Sequence, residues 1–122
     1  MTKIRSFEEC EVWRDSHAIV REIYGLTRRE DFTSDFGLKD QIRRASISIM
    51  SNIAEGYESQ TENVFIRHLG IAKRSCDEVL PQLYVAFDQH YISEAGFMPL
   101  TELCRKTARR LSSLSRYLKR SS

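Results

Sequence analysis

The sequence predicts an all-α protein, an antiparallel up-down-up-down four-helix bundle. Three observations carry this. Apolar residues recur three and four apart almost throughout, which is the helical period and not the strand period. Runs of β-branched residues bounded by turn residues are missing. With 5 Gly and 2 Pro in 122 residues there is little material for long loops or low-complexity linkers.

The first helix is expected to open at Ser6, whose hydroxyl can cap it while Glu8, Glu9 and Glu11 complement the positive end of the helix dipole. It runs to about Arg28 with a wide apolar face: Phe7, Cys10, Val12, Trp13, Ile19, Val20, Ile23 and Tyr24. A loop rich in Asp, Ser and Thr follows, from about Arg29 to Phe36.

The second helix, about Leu38 to Glu55, carries two stripes. Leu38, Ile42, Ala45, Ile49 and Ile53 form one; Ile47, Met50, Ala54 and Tyr57 form the other. At 100° per residue Ile47 lies roughly 160° from Ala45, so one stripe packs the bundle and the other needs a second partner. Gly56 is expected to stop this helix as a left-handed cap.

The third helix starts after Thr61 and has the cleanest heptad, Phe65, Leu69, Ala72, Cys76, Val79, Leu83 and Ala86. Pro81 removes one backbone donor inside it; because the heptad stays in phase beyond, a kink is expected and not a break. The fourth helix repeats the spacing with Leu100, Cys104, Thr107, Leu111, Leu114 and Leu118, and its start falls at Ser93 or at Pro99. Four helices and short connections give one domain over residues 1–122, and the surplus apolar stripe on the second helix implies an oligomer.

Composition narrows the function classes. The chain is 41% apolar and 30% charged with a net charge of +2, so a claim for an acidic partner must rest on where the positive charges sit. Cys10, Cys76 and Cys104 are widely spaced and odd in number, which suits a reducing cytoplasm better than a disulfide or zinc framework. No export signal and no stretch of about 18 uncharged apolar residues occurs, so neither secretion nor a membrane partner is expected.

The segments LKDQIRRASISIMSNIAEGYE and FIRHLGIAKRSCDEVLPQL, with EVW near the start, resemble the four-helix-bundle family first noticed as proteins encoded in intervening sequences of bacterial large-subunit ribosomal RNA genes. The pairing of QIRRA with NIAEG is the specific part of the likeness, which covers nearly the whole chain. The resemblance implies a cyclic homo-oligomer, a homopentamer, and a distant similarity to accessory proteins of diversity-generating retroelements, which bind a reverse transcriptase and nucleic acid. It implies no activity. Departures from the family pattern are Glu58 and Ser59 after the glycine, Arg74 before Ser75, and Pro81.

Gln41, Arg44, Ser48, Asn52 and Glu55 fall three or four apart along one edge of the second helix, with Glu78 and Gln82 on the third. These are expected to form a structural polar network that fixes helix register, and a fold-back near residue 59 makes an ion pair between Arg44 and Glu78 possible. Glu55 and Glu78 do not make a catalytic pair: a fold-back near residue 59 leaves them roughly 22 Å apart, against about 5 to 9.5 Å for paired glycosidase carboxylates. The three cysteines read as small buried hydrophobes, and His17, His68 and His90 are scattered. Neither a metal, a cofactor nor an enzymatic reaction is expected.

One feature leans toward a function. After Glu102 the chain has no acidic residue, while Arg105, Arg109, Arg116 and Arg120 track one helical face with Lys106, Arg110 and Lys119 beside it. Arg43, Lys73 and Arg74 extend the candidate surface. Such a stripe suits sequence-independent contact with the phosphates of RNA or DNA. The bland reading is a solvated face paired with Glu8, Glu9, Glu11, Asp15 and Glu22, each exposed pair contributing about 0 to 1 kcal/mol. Two functions stay open: a non-enzymatic oligomeric module that binds nucleic acid through its basic C-terminal helix, or an assembly or scaffold protein that meets another protein and no nucleic acid.

Overall fold

The structure, a computed structural model, describes residues 10–121. The regular elements among them are all helical: α1 (Glu11–Thr27), α2 (Glu30–Thr33), α3 (Phe36–Glu58), α4 (Glu62–Asp88) and α5 (Glu94–Ser121). The expected Ser6 cap, with Phe7, Glu8 and Glu9, lies outside the described residues. Among the described residues Cys10 is extended (φ −72, ψ 125) and α1 begins at Glu11.

The stretch from Arg29 to Phe36 is not wholly a loop. One helical turn, α2, places Phe32 in the core, where its ring stacks on Tyr91 at 4.6 Å. Asp35 then does two jobs: one carboxylate oxygen accepts the backbone N–H of Leu38 at 3.3 Å and caps α3, and the other accepts the hydroxyl of Tyr91 at 3.0 Å.

Helix α3 is longer than expected and passes through Gly56, which therefore is not a left-handed cap; no described glycine has positive φ. Gly56 is buried at a close approach. A Cβ there would stand 2.8 Å from Cδ1 of Phe65 and 2.9 Å from Cβ of His68 on α4. Residues without side-chain bulk let two helices come this near.

Helix α4 opens as expected, Thr61 Oγ1 accepting the N–H of Val64 at 3.2 Å. It continues unbroken past Pro81, which faces solvent. It ends in a Schellman turn: His90 N–H donates to Phe87 O and Tyr91 N–H to Ala86 O, with His90 at φ 63. The start of α5 falls at the Ser93 end of the two alternatives, where Ser93 Oγ accepts the N–H of Gly96 at 3.2 Å; Pro99 lies inside the helix.

The four long helices form an all-α bundle in which α1 packs on α3 and α5, and α4 on α3 and α5. The expected stripes supply the core. Ile42, Ala45, Ile49 and Ile53 of α3 and Leu69, Ala72, Cys76, Val79, Leu83 and Ala86 of α4 are all buried in one cluster with Ile19, Ile23, Leu100, Cys104 and Leu111. Buried hydroxyls do not disrupt it, because each donates to a carbonyl of its own helix: Ser16 to Trp13, Thr27 to Ile23, Thr107 to Leu103.

Candidate nucleic-acid interface

Residues spaced four and three apart on α5 share a side, and Arg105, Ala108, Arg109, Ser112 and Arg116 accordingly meet a matching row on α4, Lys73, Cys76, Asp77 and Leu80. Between the rows lies a hollow of about 490 Å³ with Cys76, Leu80, Cys104 and Ala108 in its lining. A second hollow of about 210 Å³ adjoins it, sharing Lys73, Ser112 and Arg116 and adding Gly70, Ser115 and Lys119. Together they make one trough with cations along it.

The charges in the trough are unevenly compensated. Lys73 pairs with Asp77 one turn on at 2.9 Å, and Arg109 with Glu102 at 3.1 Å, both pairs exposed. Arg105 meets only a phenol, its Nη2 donating to the Tyr84 hydroxyl at 3.2 Å. Arg116 donates to Ser113 Oγ at 3.3 Å. Neither gains a carboxylate partner among the described residues. Arg105 and Arg109 are also like charges at i,i+4, a pairing that costs a helix about 0.2 to 0.5 kcal/mol. An anion would relieve that repulsion.

Other residues of the expected basic surface go elsewhere. Arg110 turns to α1, reaching Glu11 at 2.6 Å and Asp15 at 2.7 Å. Its hydrogen bond to Asp15 raises the guanidinium pKa still further, so this arginine is committed to holding α5 against α1. Arg43 does not extend the stripe: its Nε donates to Thr27 Oγ1 at 2.8 Å and its guanidinium lies 4.2 Å from the Tyr24 ring centre, on the α1 side of the bundle. Arg74 and Arg120 are exposed and Lys106 is half-buried, none of them in the lining of the trough. Residues that the sequence reading missed are Tyr84, Asp77 and Leu80. Their signal is the spacing Lys73, Asp77, Leu80, Tyr84, one face of α4.

The polar edge between α3 and α4 is assembled in part. Ser75 Oγ donates to Ser48 Oγ at 2.8 Å, Asn52 Nδ2 to Ser48 Oγ at 3.1 Å, and Asn52 Oδ1 stands 2.9 Å from His68 Nδ1, with Glu55 at 3.7 Å from the same nitrogen. His68 and Ser75 are thus members that were not anticipated. The ion pair open to Arg44 and Glu78 does not form, because Arg44 turns outward and pairs with Asp40 at 3.0 Å. Gln41 and Glu78 are exposed, and Gln82 is buried with its Oε1 unpartnered.

Of the surplus stripe on α3, Ile47 is exposed while Met50, Ala54 and Tyr57 are half-buried. Tyr57 packs edge-on to Phe65 at 6.4 Å. Ile47 and Met50 line a hollow between α1 and α3 with Val20, Tyr24, Arg21 and Arg28.

Cys10, Cys76 and Cys104 are buried free thiols, and burial pushes Cys76 and Cys104 up to about 12. Thiols so unwilling to ionise are poor nucleophiles and poor ligands. Among the described residues no cluster of three His, Cys, Asp or Glu could hold a metal ion, and no helix is long and apolar enough to cross a membrane.

The family model of the 23S rRNA-intervening sequence protein matches residues 8–113 of the chain. Among solved structures, the chain is similar to a protein of unknown function from the S23 ribosomal protein family of Bacteroides thetaiotaomicron VPI-5482. The TM-score is 0.77 at 24% identity, covering 85% of this chain and 97% of that one. At this identity the likeness is one of fold. No curated protein matches the sequence.

Proposed function

Since the chain belongs to the 23S rRNA-intervening sequence protein family, we propose that it is a non-enzymatic, cytoplasmic binding module that contacts nucleic acid without reading sequence. The observation that carries this reading is the trough between α4 and α5. Five cations, Lys73, Arg105, Arg109, Arg116 and Lys119, line it with a single carboxylate, Asp77. Charge of one sign gathered along a groove suits a polyanion, and such contacts lend affinity but no base specificity.

The same proposal takes the bundle as antiparallel and up-down-up-down, which the meeting of Ser48 with Ser75 and of Gly56 with Phe65 supports. It takes the protein as a cyclic homo-oligomer, a homopentamer in keeping with the family resemblance, joined through the face of Ile47 and Met50. A ring repeats the basic trough and multiplies weak contacts into avidity. Kinship with the retroelement accessory proteins belongs to this proposal too.

Reversing Arg105, Arg109 and Arg116 to Glu tests the reading. Nucleic-acid binding should be abolished with the oligomer intact; binding that survives the reversals would remove the trough as the site. A second reading is favoured by Phe36 and Met98, 73% and 59% exposed: a scaffold that meets another protein. Pull-down with and without nuclease separates the two.

A further inference from the structure

The trough differs from a flat basic patch in having a floor. Between the α5 row of Arg105, Arg109 and Arg116 and the single α4 cation, Lys73, lie Leu80, Cys76, Cys104 and Ala108, with Ser112 where the two hollows meet. From Cys104 to Lys119 the trough runs 15 residues along α5, about 22 Å at 1.5 Å per residue.

We propose that this trough takes a single strand of nucleic acid in preference to a duplex, its bases lying against the floor while its phosphates meet Arg105, Arg109, Arg116 and Lys73. The inference rests on the nucleic-acid reading above and narrows it.

Width decides against the duplex. Packed helices lie about 8 to 10 Å axis to axis, whereas the two backbones of B-DNA stand about 12 Å apart even across the major groove, with the base faces stacked between them. A duplex would rest on the rim cations and leave the floor uncovered. A single strand has free base faces, and these can cover Leu80 and Ala108 while the backbone keeps its phosphates at the rim. The arginine planes at 105 and 109 add flat cationic surfaces on which bases stack.

An amphipathic helix from a partner is the weaker occupant on the same geometry. Such a helix docks by burying an apolar stripe, and here Cys76 and Cys104 are already 2% and 1% exposed, so Leu80 and Ala108 provide most of the free apolar surface. The trough offers much charge and a thin floor, which matches a chain with one charge per unit and a flat apolar body.

The test compares poly-U of about 15 nucleotides, within the span that compact single-strand binders cover, with duplex DNA carrying the same number of phosphates. Two variants fill the floor without changing charge, Ala108→Leu and Ser112→Leu, each checked for retained helicity and melting temperature. Two positions guard against one of them failing to fold.

The single strand should bind more tightly than the duplex at every salt concentration. Each filling variant should weaken single-strand binding by about fivefold or more, the scale of an overpacked contact, while duplex binding stays within about twofold. If the duplex binds as well as the single strand, or if both folded variants leave single-strand affinity unchanged, the inference is overturned, although salt-sensitive binding of both would leave the broader nucleic-acid reading standing. If neither polymer binds at low salt, both fall.

Discussion

Arg105 on α5 and Tyr84 on α4 are tied across the trough by a hydrogen bond of 3.2 Å from the guanidinium to the phenol oxygen. The tie holds a cation at the groove mouth without neutralising it, since a phenol is a neutral acceptor. Tyr84 is itself held, its ring edge-on to Phe97 at 5.0 Å. Replacing Tyr84 with Phe keeps the ring and frees the arginine. The expected result is a loss of a few-fold in nucleic-acid affinity, in line with about 0.5 to 1.5 kcal/mol for one hydrogen bond, with no change in melting temperature beyond about 2 °C.

Gly56 has no room for a side chain against Phe65 and His68. Gly56→Ala should destabilise the fold by about 1 to 3 kcal/mol, the usual cost of forcing an extra carbon into a packed contact, despite the better helix propensity of alanine. Urea denaturation measures this directly. A neutral or stabilising result would mean that α3 and α4 part easily at this point.

His90 sits in left-handed backbone at the end of α4, where glycine is the common residue. His90→Gly should stabilise the protein by about 1 kcal/mol, because the left-handed penalty of an L-residue is about 1 to 2 kcal/mol and glycine's extra unfolded freedom returns part of it. An increase in melting temperature is the readout.

The thiols of Cys76 and Cys104 stand at about 12 in the fold against 9.0 for an ordinary cysteine, desolvation being the main cause. The unfolded chain therefore releases these protons first. Their stabilising contribution is complete below about pH 9 and is lost as pH rises toward about 12. Melting temperature should fall across that window, and less so in a Cys76→Ala, Cys104→Ala variant. At pH 8 a thiol reagent should label both positions only after denaturant is added.

In the ring proposed above, Ile47→Asp or Met50→Asp should break the assembly and leave the subunit helical, since both line the surface between α1 and α3 and not the core. Light scattering with circular dichroism checks both halves of this statement. An unchanged mass would remove this face as the interface.

The helical stripes were legible in the sequence because period and burial coincide: every member of the α4 heptad from Leu69 to Ala86 is buried. Ends and turns were less so. Gly56 is compatible with either a cap or a close approach, and only the position of Phe65 decides between them. The turn α2 was hidden because Phe32, its one anchor, sits among polar residues and is held by Tyr91, 59 positions away.

The site shows the same division. That α5 is basic can be read directly, but which arginines are free cannot, because Arg110 and Arg43 are drawn off by residues of α1. Sequence spacing gives the face of a helix. It does not give the neighbour that the face meets, and so Tyr84 and the floor of the trough appear only in the fold.

The most direct test of nucleic-acid binding is fluorescence anisotropy of labelled single-stranded RNA titrated with the purified protein across a salt series. With about three to four phosphates neutralised per subunit, the logarithm of affinity should fall against the logarithm of salt with a slope of about −2 to −3. The Arg105, Arg109, Arg116 reversal should abolish the binding. An absence of binding at low salt, or an affinity indifferent to salt, would contradict the account and return the arginines of α5 to the role of a solvated face.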